Sequence, residues 1–265
     1  MKEFGFLQYP LEASFLNVKI QPINNHSEGL EWLKKNTNKD GYFYPPQFAT
    51  YTIDSRTGKT KTKVENSDRP ARVYHIPSSH KIEIENPVCI QNEPFTDEAL
   101  IVYLLAYLYG TRLQISDWKF EGRIPIKPVN NISITEDAII HFLSHVYNWW
   151  RKLTQSQRTK FANILYVHNR ANSLEWDWDM FLHQYMVFDA LYALHSEFNP
   201  PAQTPKLKER LNILCREYSI DNADLINDIY KARNELFHEA MWVEFSTIGF
   251  GSSNQNAYQL PHHLI

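Results

Sequence analysis

The spacing of hydrophobic positions changes near the middle of the chain, and with it the kind of structure the chain predicts. Over the first 130 residues the alternation is short. Leu16, Val18 and Ile20 alternate with Asn17 and Lys19, the period of a half-buried strand. Residues 27–35 carry one or two helical turns. Tyr42-Phe43-Tyr44 is an aromatic strand stopped by Pro45-Pro46, because proline cannot donate to a ladder. Residues 49–54 and 59–64 flank Ser55-Arg56-Thr57-Gly58 and predict a hairpin with glycine at the turn. Residues 73–76 and 81–85 flank Pro77-Ser78-Ser79 and predict a second, with Ile82 and Ile84 inward and Lys81, Glu83 and Glu85 outward. One helix stands among these strands. Thr96 caps it, Gly110 stops it, and residues 96–109 are apolar nearly all round, which predicts a core helix against the sheet. A strand is expected over 112–116.

Pro125, Pro128, Asn130 and Asn131 mark the expected boundary. From Thr135 onward the period is helical. Ile139, Phe142, Leu143, Val146, Trp149, Trp150 and Leu153 form one stripe. Thr154 with Gln157 is a capping box that opens a helix to about residue 169. A long helix over 175–198 is apolar on most sides, which would place it at the centre of a bundle. Thr204-Pro205 reads as an N-cap followed by proline at the first helical position. A last helix is expected over 221–242. The fold class is therefore α+β. An N-terminal β-rich domain (1–130) precedes a five-helix bundle (131–246), and a Gly, Ser, Asn and His rich tail covers 247–265.

Composition narrows the function classes. The net charge of −3 argues against a broadly basic nucleic-acid binder and leaves room for a local basic groove. Cys89 and Cys215 are the only cysteines, so a thiolate zinc site is not expected and a reducing, cytoplasmic compartment fits. The N-terminus has no apolar signal core, and the most apolar run, 99–108, is about half of what a bilayer span needs. No membrane partner is expected. Gly58-Lys59-Thr60 is not a phosphate loop, because Ile53 stands where that motif needs its first glycine. Lys59, Lys61 and Lys63 share one strand face near Arg56, Arg69 and Arg72. They predict either a lysine-protected edge strand or an RNA contact. His141 and His145 lack the glutamate of a metalloprotease helix, and His262-His263 has no partners in sequence. No serine-hydrolase elbow or dinucleotide fingerprint is present.

The last helix carries the densest chemistry. Leu225, Ile226, Ile229, Leu236, Phe237 and Ala240 make its apolar stripe, and Arg233 falls near the middle of it. A buried guanidinium needs an anion or several carbonyls. Asp189, alone among apolar neighbours in the long helix, has the matching problem, so an Arg233–Asp189 pair is expected. Asn234 and His238 share the adjoining polar face with Asn227 and Lys231. On a regular α-helix Arg233 and His238 stand about 140° apart, at about 100° per residue. They would then serve one phosphate more easily across a dimer than within one chain.

Arg233-Asn234-Glu235-Leu236-Phe237-His238, on the last helix of a bundle, resembles the Arg-x-x-x-x-His signature of HEPN domains, and of the Apea-like kind in particular. The resemblance covers about residues 133–245. It implies a metal-independent endoribonuclease of prokaryotic defence or toxin type. Such an enzyme needs no cofactor, works as a homodimer through the bundle, and cleaves RNA by attack of its own 2′-hydroxyl. Arg233, Asn234 and His238 would be catalytic and Asp189 supporting, while Lys59, Lys61, Lys63 and Lys231 would hold RNA. The β-rich domain would sense a trigger or hold a regulatory partner. Ala240 stands where HEPN toxins with a nucleotidyltransferase antitoxin carry a modified tyrosine, which speaks against neutralisation of that kind. Some members of this family are inactive, so a non-catalytic homodimeric scaffold is the alternative.

Overall fold

The computed structural model describes residues 1–44, 49–53, 57, 60–64, 73–89, 95–115, 120–126, 134–220 and 223–239. In chain order the first half holds β1 (Lys2–Gly5), β2 (Ala13–Phe15), β3 (Val18–Pro22), α1 (His26–Lys35), β4 (Tyr42–Phe43), β5 (Ala49–Ile53), β6 (Thr60–Val64), β7 (Val73–Tyr74), β8 (His80–Ile84), α2 (Asp97–Tyr109), β9 (Gln114–Ile115), β10 (Phe120–Glu121) and β11 (Ile124–Pro125). The second half holds α3 (Glu136–Trp150), α4 (Gln155–Ala171), α5 (Asp177–Phe198), α6 (Leu207–Glu217) and α7 (Ala223–Asn234), which runs into a π-helical turn, Glu235–Glu239. The protein is thus α+β. None of the described helices is long and apolar enough to cross a membrane.

The main sheet has the order β2-β3-β8-β1-β9, antiparallel throughout. Its inner face follows the period-2 rule: Phe4, Ile20 and Ile82 are fully buried, while Lys19 and Glu83 point out. Two expectations change. Leu16 is not an inward strand residue. It sits in the turn between β2 and β3 at φ 48°, a left-handed position that leaves its side chain exposed. The second hairpin does not form either. β8 pairs with β1 and β3, whereas β7 pairs with β10, so Pro77-Ser78-Ser79 passes between two sheets. Strand pairing across the chain overrides the local turn signal here, because Ser79 hydrogen-bonds to β1 through its backbone N–H to the Phe4 carbonyl. The strands of the first hairpin pair, with Ile53 opposite Thr60 and Ala49 opposite Val64, while its turn at Gly58 lies outside the described residues.

Capping residues set the helix starts. Thr96, Thr135 and Thr154 each accept a hydrogen bond from the backbone N–H three residues on, and Gly110 closes α2 at φ 59°. The start of α6 differs from the expected one. Lys206 is its N-cap, and its N–H donates to Glu209 at 2.8 Å, two residues after the predicted Thr204.

One buried cluster runs from the sheet through α2 into α3 and α4, joining Phe4 and Leu104 to Leu143, Trp150 and Leu165. Its polar centre is Asp97, with no exposed surface. The Asp97 carboxylate accepts from the Tyr147 hydroxyl (2.7 Å), the Trp150 indole N–H (2.9 Å) and the Val88 N–H (2.7 Å). Burial pushes this carboxyl up, but hydrogen bonds from Cys89, Trp150, Val88 and Tyr147 outweigh it and hold the group below the usual carboxylate range. The β-rich half and the helical half are therefore joined by a satisfied buried charge.

Candidate active site on the last helix

The α7 helix begins as an ordinary amphipathic helix, with Ile226 buried against Leu211 and Cys215 of α6. Beyond Asn234 the helix widens. In a π-turn the hydrogen bonds run from residue i to i+5, so side chains five apart come to the same side. Arg233 and His238 are five apart. Arg233 Nη1 lies 3.0 Å from His238 Nε2 and 3.0 Å from Asn234 Oδ1. The α-helical separation of about 140° does not apply, and the two side chains meet within one chain. Arginine has no acceptor, so the His238 contact requires a neutral ring with Nε2 as acceptor and the proton on Nδ1.

The widened turn also sorts the stripe expected from sequence. Leu236 is buried in a cluster with Phe181 and Tyr185 of α5, which anchors the turn. Phe237, expected on the same apolar face, is 51% exposed. Its ring lies 4.7 Å from the Arg233 guanidinium carbon and 6.5 Å from the Tyr185 ring. Phe237 therefore fixes the plane of Arg233 from below. Arg233 Nε is buried and has no hydrogen-bond partner among the described residues. Ala240 and the rest of the expected helix lie outside the described residues, as do His262 and His263.

Asp189 does not pair with Arg233. Its carboxylate takes Arg210 of α6, with Nη1 2.8 Å from Oδ1. The physical reason is exposure. The Asp189 side chain is 44% accessible and that of Arg210 is 30%, so α5 does not seal this carboxylate in a core and no buried charge demands neutralising. The apolar neighbours of Asp189 in sequence point elsewhere on α5, and two of them, Met186 and Leu191, are themselves exposed. Arg233 turns its Nη1 to Asn234 and His238 instead.

Tyr185 was not singled out by sequence, since a tyrosine in an apolar run carries no signal. Burial raises its phenol above the ordinary range. Arg233 and Arg210 act against that shift, and Asp189 acts with it. Tyr185 of α5 thus feels the charges of both Arg233 and Arg210. Lys231 is on the solvent side of α7, 3.6 Å from Glu235. Lys208 of α6 lies 5.9 Å from the Tyr230 ring.

The N-terminal lysines are apart from this arrangement in sequence and element. Lys61 and Lys63 lie in β6 opposite Thr52 and Thr50, and Lys59 lies outside the described residues with Arg56, Arg69 and Arg72. Among the described residues no three His, Cys, Asp or Glu side chains are grouped to hold a metal ion. Comparison with protein-family models, curated proteins and solved structures returns no match.

Proposed function

We propose that the protein is a HEPN-type endoribonuclease that cleaves RNA by 2′-hydroxyl transesterification without a metal ion, in a prokaryotic defence or toxin setting. The observation that carries this is the 3.0 Å approach of Arg233 Nη1 to His238 Nε2 on the open side of the last helix. A guanidinium beside a neutral imidazole is a phosphate-binding cation next to a base, and both halves of the reaction need that pairing.

In this mechanism an RNA phosphate takes the Arg233 donors and displaces Nη1 from the imidazole. His238 Nε2, freed as an acceptor, removes the proton of the adjacent 2′-hydroxyl. The 2′-oxygen attacks phosphorus, the bond from phosphorus to the 5′-oxygen breaks, and that oxygen takes a proton from a second imidazole or from water. The products are a 2′,3′-cyclic phosphate and a 5′-hydroxyl. Arg233 balances the charge that grows on the phosphoryl oxygens. Asn234 Oδ1 accepts from the same Arg233 Nη1. A homodimer that brings two copies of the last helix together would supply the second imidazole as the acid.

The test is RNA incubated in excess EDTA with wild type, Arg233→Ala and His238→Ala, resolved by electrophoresis with the product termini mapped. Removal of the base is expected to lower the rate about 10²–10⁴-fold, and removal of the charge-stabilising group about 10²–10³-fold. Equal cleavage by all three proteins would sink the proposal. Absence of cleavage with an intact dimer would favour the scaffold alternative, in which Arg233, Asn234 and His238 hold one another as structure.

A further inference from the structure

The proposed chemistry uses Arg233 and His238 and gives the exposed part of the Phe237 ring no role toward substrate. Phe237 lies between them in sequence and is half open to solvent, with Arg233 against one part of its ring and Tyr185 against another. Burial of this ring in the bundle was available to the sequence, since Leu236 next to it took that place. We infer that Phe237 is a stacking platform for a nucleobase next to the cleaved phosphate, so that the substrate is RNA with an unpaired base at that position. The inference rests on the ribonuclease reading above.

Three features favour a base over another occupant. Single-stranded RNA is recognised by stacking splayed bases on aromatic rings and guanidinium planes, and here the two lie together, ring centroid to guanidinium carbon 4.7 Å. A phosphate held by the outward donors of Arg233 has its own nucleoside within reach of the ring beside it. The surroundings are also charged. Arg233 lies against the Phe237 ring, and Lys231, Glu235 and Glu239 are on the same last helix, whereas the core of a protein–protein interface is depleted of charge. A second copy of the chain seated on Phe237 is the competing occupant.

The experiment crosses two changes. Short single-stranded oligoribonucleotides with one cleavable step, either intact or abasic beside that step, are offered to wild type, Phe237→Ala and Phe237→Trp. Cleavage is followed, and binding is measured by anisotropy on the same oligonucleotides in the His238→Ala background. Phe237→Ala is expected to lower kcat/KM about 10–100-fold on the intact oligonucleotide, and Phe237→Trp to keep it. The abasic oligonucleotide is expected to show the same loss with wild type and no further loss with Phe237→Ala. Additive losses, or an abasic penalty unchanged by Phe237→Ala, would overturn the platform. So would a Phe237→Ala protein whose only change is a shift from dimer to monomer in sedimentation. Base-dependent binding through Phe237 without any cleavage would uphold the platform and remove the ribonuclease reading. Absence of both cleavage and base-dependent binding would remove both.

Discussion

Arg233 and His238 touch, Nη1 to Nε2 at 3.0 Å, because the helix that carries them is widened over Glu235–Glu239. The contact is a property of helix register, and register can be edited. Deleting Glu235 leaves the two residues four apart, which on a regular α-helix is about 40° and still one face. Inserting an alanine after Glu235 leaves them six apart and on different faces. The deletion variant is expected to retain RNA cleavage within about 10-fold, and the insertion variant to fall about 10²–10⁴-fold, as for loss of the base. A readout independent of RNA is the ¹⁵N spectrum of His238. Wild type and the deletion variant should show the Nδ1–H tautomer, and Arg233→Ala should lose that preference. Retention of cleavage by the insertion variant would separate the activity from the register.

Asp189 with Arg210 is a solvent-screened pair, and its worth should be correspondingly small. Side chains 44% and 30% accessible lose little water on pairing, so Asp189→Asn is expected to cost about 0–1 kcal/mol. A urea double-mutant cycle of positions 189 and 210 should show that coupling, and a cycle of 189 with 233 should show less. The reverse order would restore the pairing expected from sequence. Asp189 acts on the Tyr185 phenol as well, so Asp189→Asn should also make that phenol easier to ionise. Burial and Asp189 both act to raise it, and the substitution removes one of the two.

What the sequence made legible was local. Thr96 and Thr154 cap the helices they were expected to cap, and Gly110 closes the one it was expected to close, because each motif is decided within four residues. The alternation of Ile20 and Ile82 with Lys19 and Glu83 marks the inner face for the same reason. The misreadings concern partners. β8 could pair with β7 or with β1 and β3, and only the assembled sheet chooses between them. Asp189 was given Arg233 because composition shows that a charge has apolar neighbours in sequence, not whether they surround it in space. The π-turn has no sequence period of its own, so it was read as α-helix, and the Arg233–His238 contact was missed within the motif that carries it.

Asp97 went unremarked for a related reason: in sequence it is an ordinary acidic residue in a first helical turn. In the fold it is fully buried and accepts hydrogen bonds from Val88, Tyr147 and Trp150. Asp97→Ala would take the shared acceptor from Val88, Cys89, Tyr147 and Trp150, and a buried donor left unpaired costs about 1–3 kcal/mol, so a loss of several kcal/mol is expected by urea denaturation. The two halves should unfold together in wild type, since Tyr147 and Trp150 belong to α3 and Val88 precedes α2. Tyr147→Phe, which removes one donor and leaves the carboxylate with the others, should cost less than Asp97→Ala. An Asp97→Ala protein as stable as wild type would mean that the carboxylate does not join the halves.

His80 gives the fold its acid sensitivity. It has no exposed surface, its Nδ1 is 2.8 Å from the Ser79 hydroxyl, its ring stacks on Phe4 at 5.3 Å, and its Nε2 has no hydrogen-bond partner among the described residues. Burial, with His26 beside it, lowers its pKa from 6.5 to about 3. The unfolded chain therefore takes up this proton first. The stabilisation is complete above about pH 6.5 and is lost as pH falls from there toward 3, at about 1.4 kcal/mol per pH unit. His168 is also lowered by burial and adds to the slope, so the contribution of His80 is isolated by comparison with His80→Phe, which keeps the stacking on Phe4. Urea midpoints measured between pH 7 and pH 5 should fall more steeply for wild type than for His80→Phe. Asp97, whose folded pKa is depressed, loses its stabilisation only as pH falls below the ordinary carboxylate value of 3.8, so it does not enter that window. Equal slopes for the two proteins would mean that His80 reaches water, and the buried Ser79–His80 contact would have to open in solution.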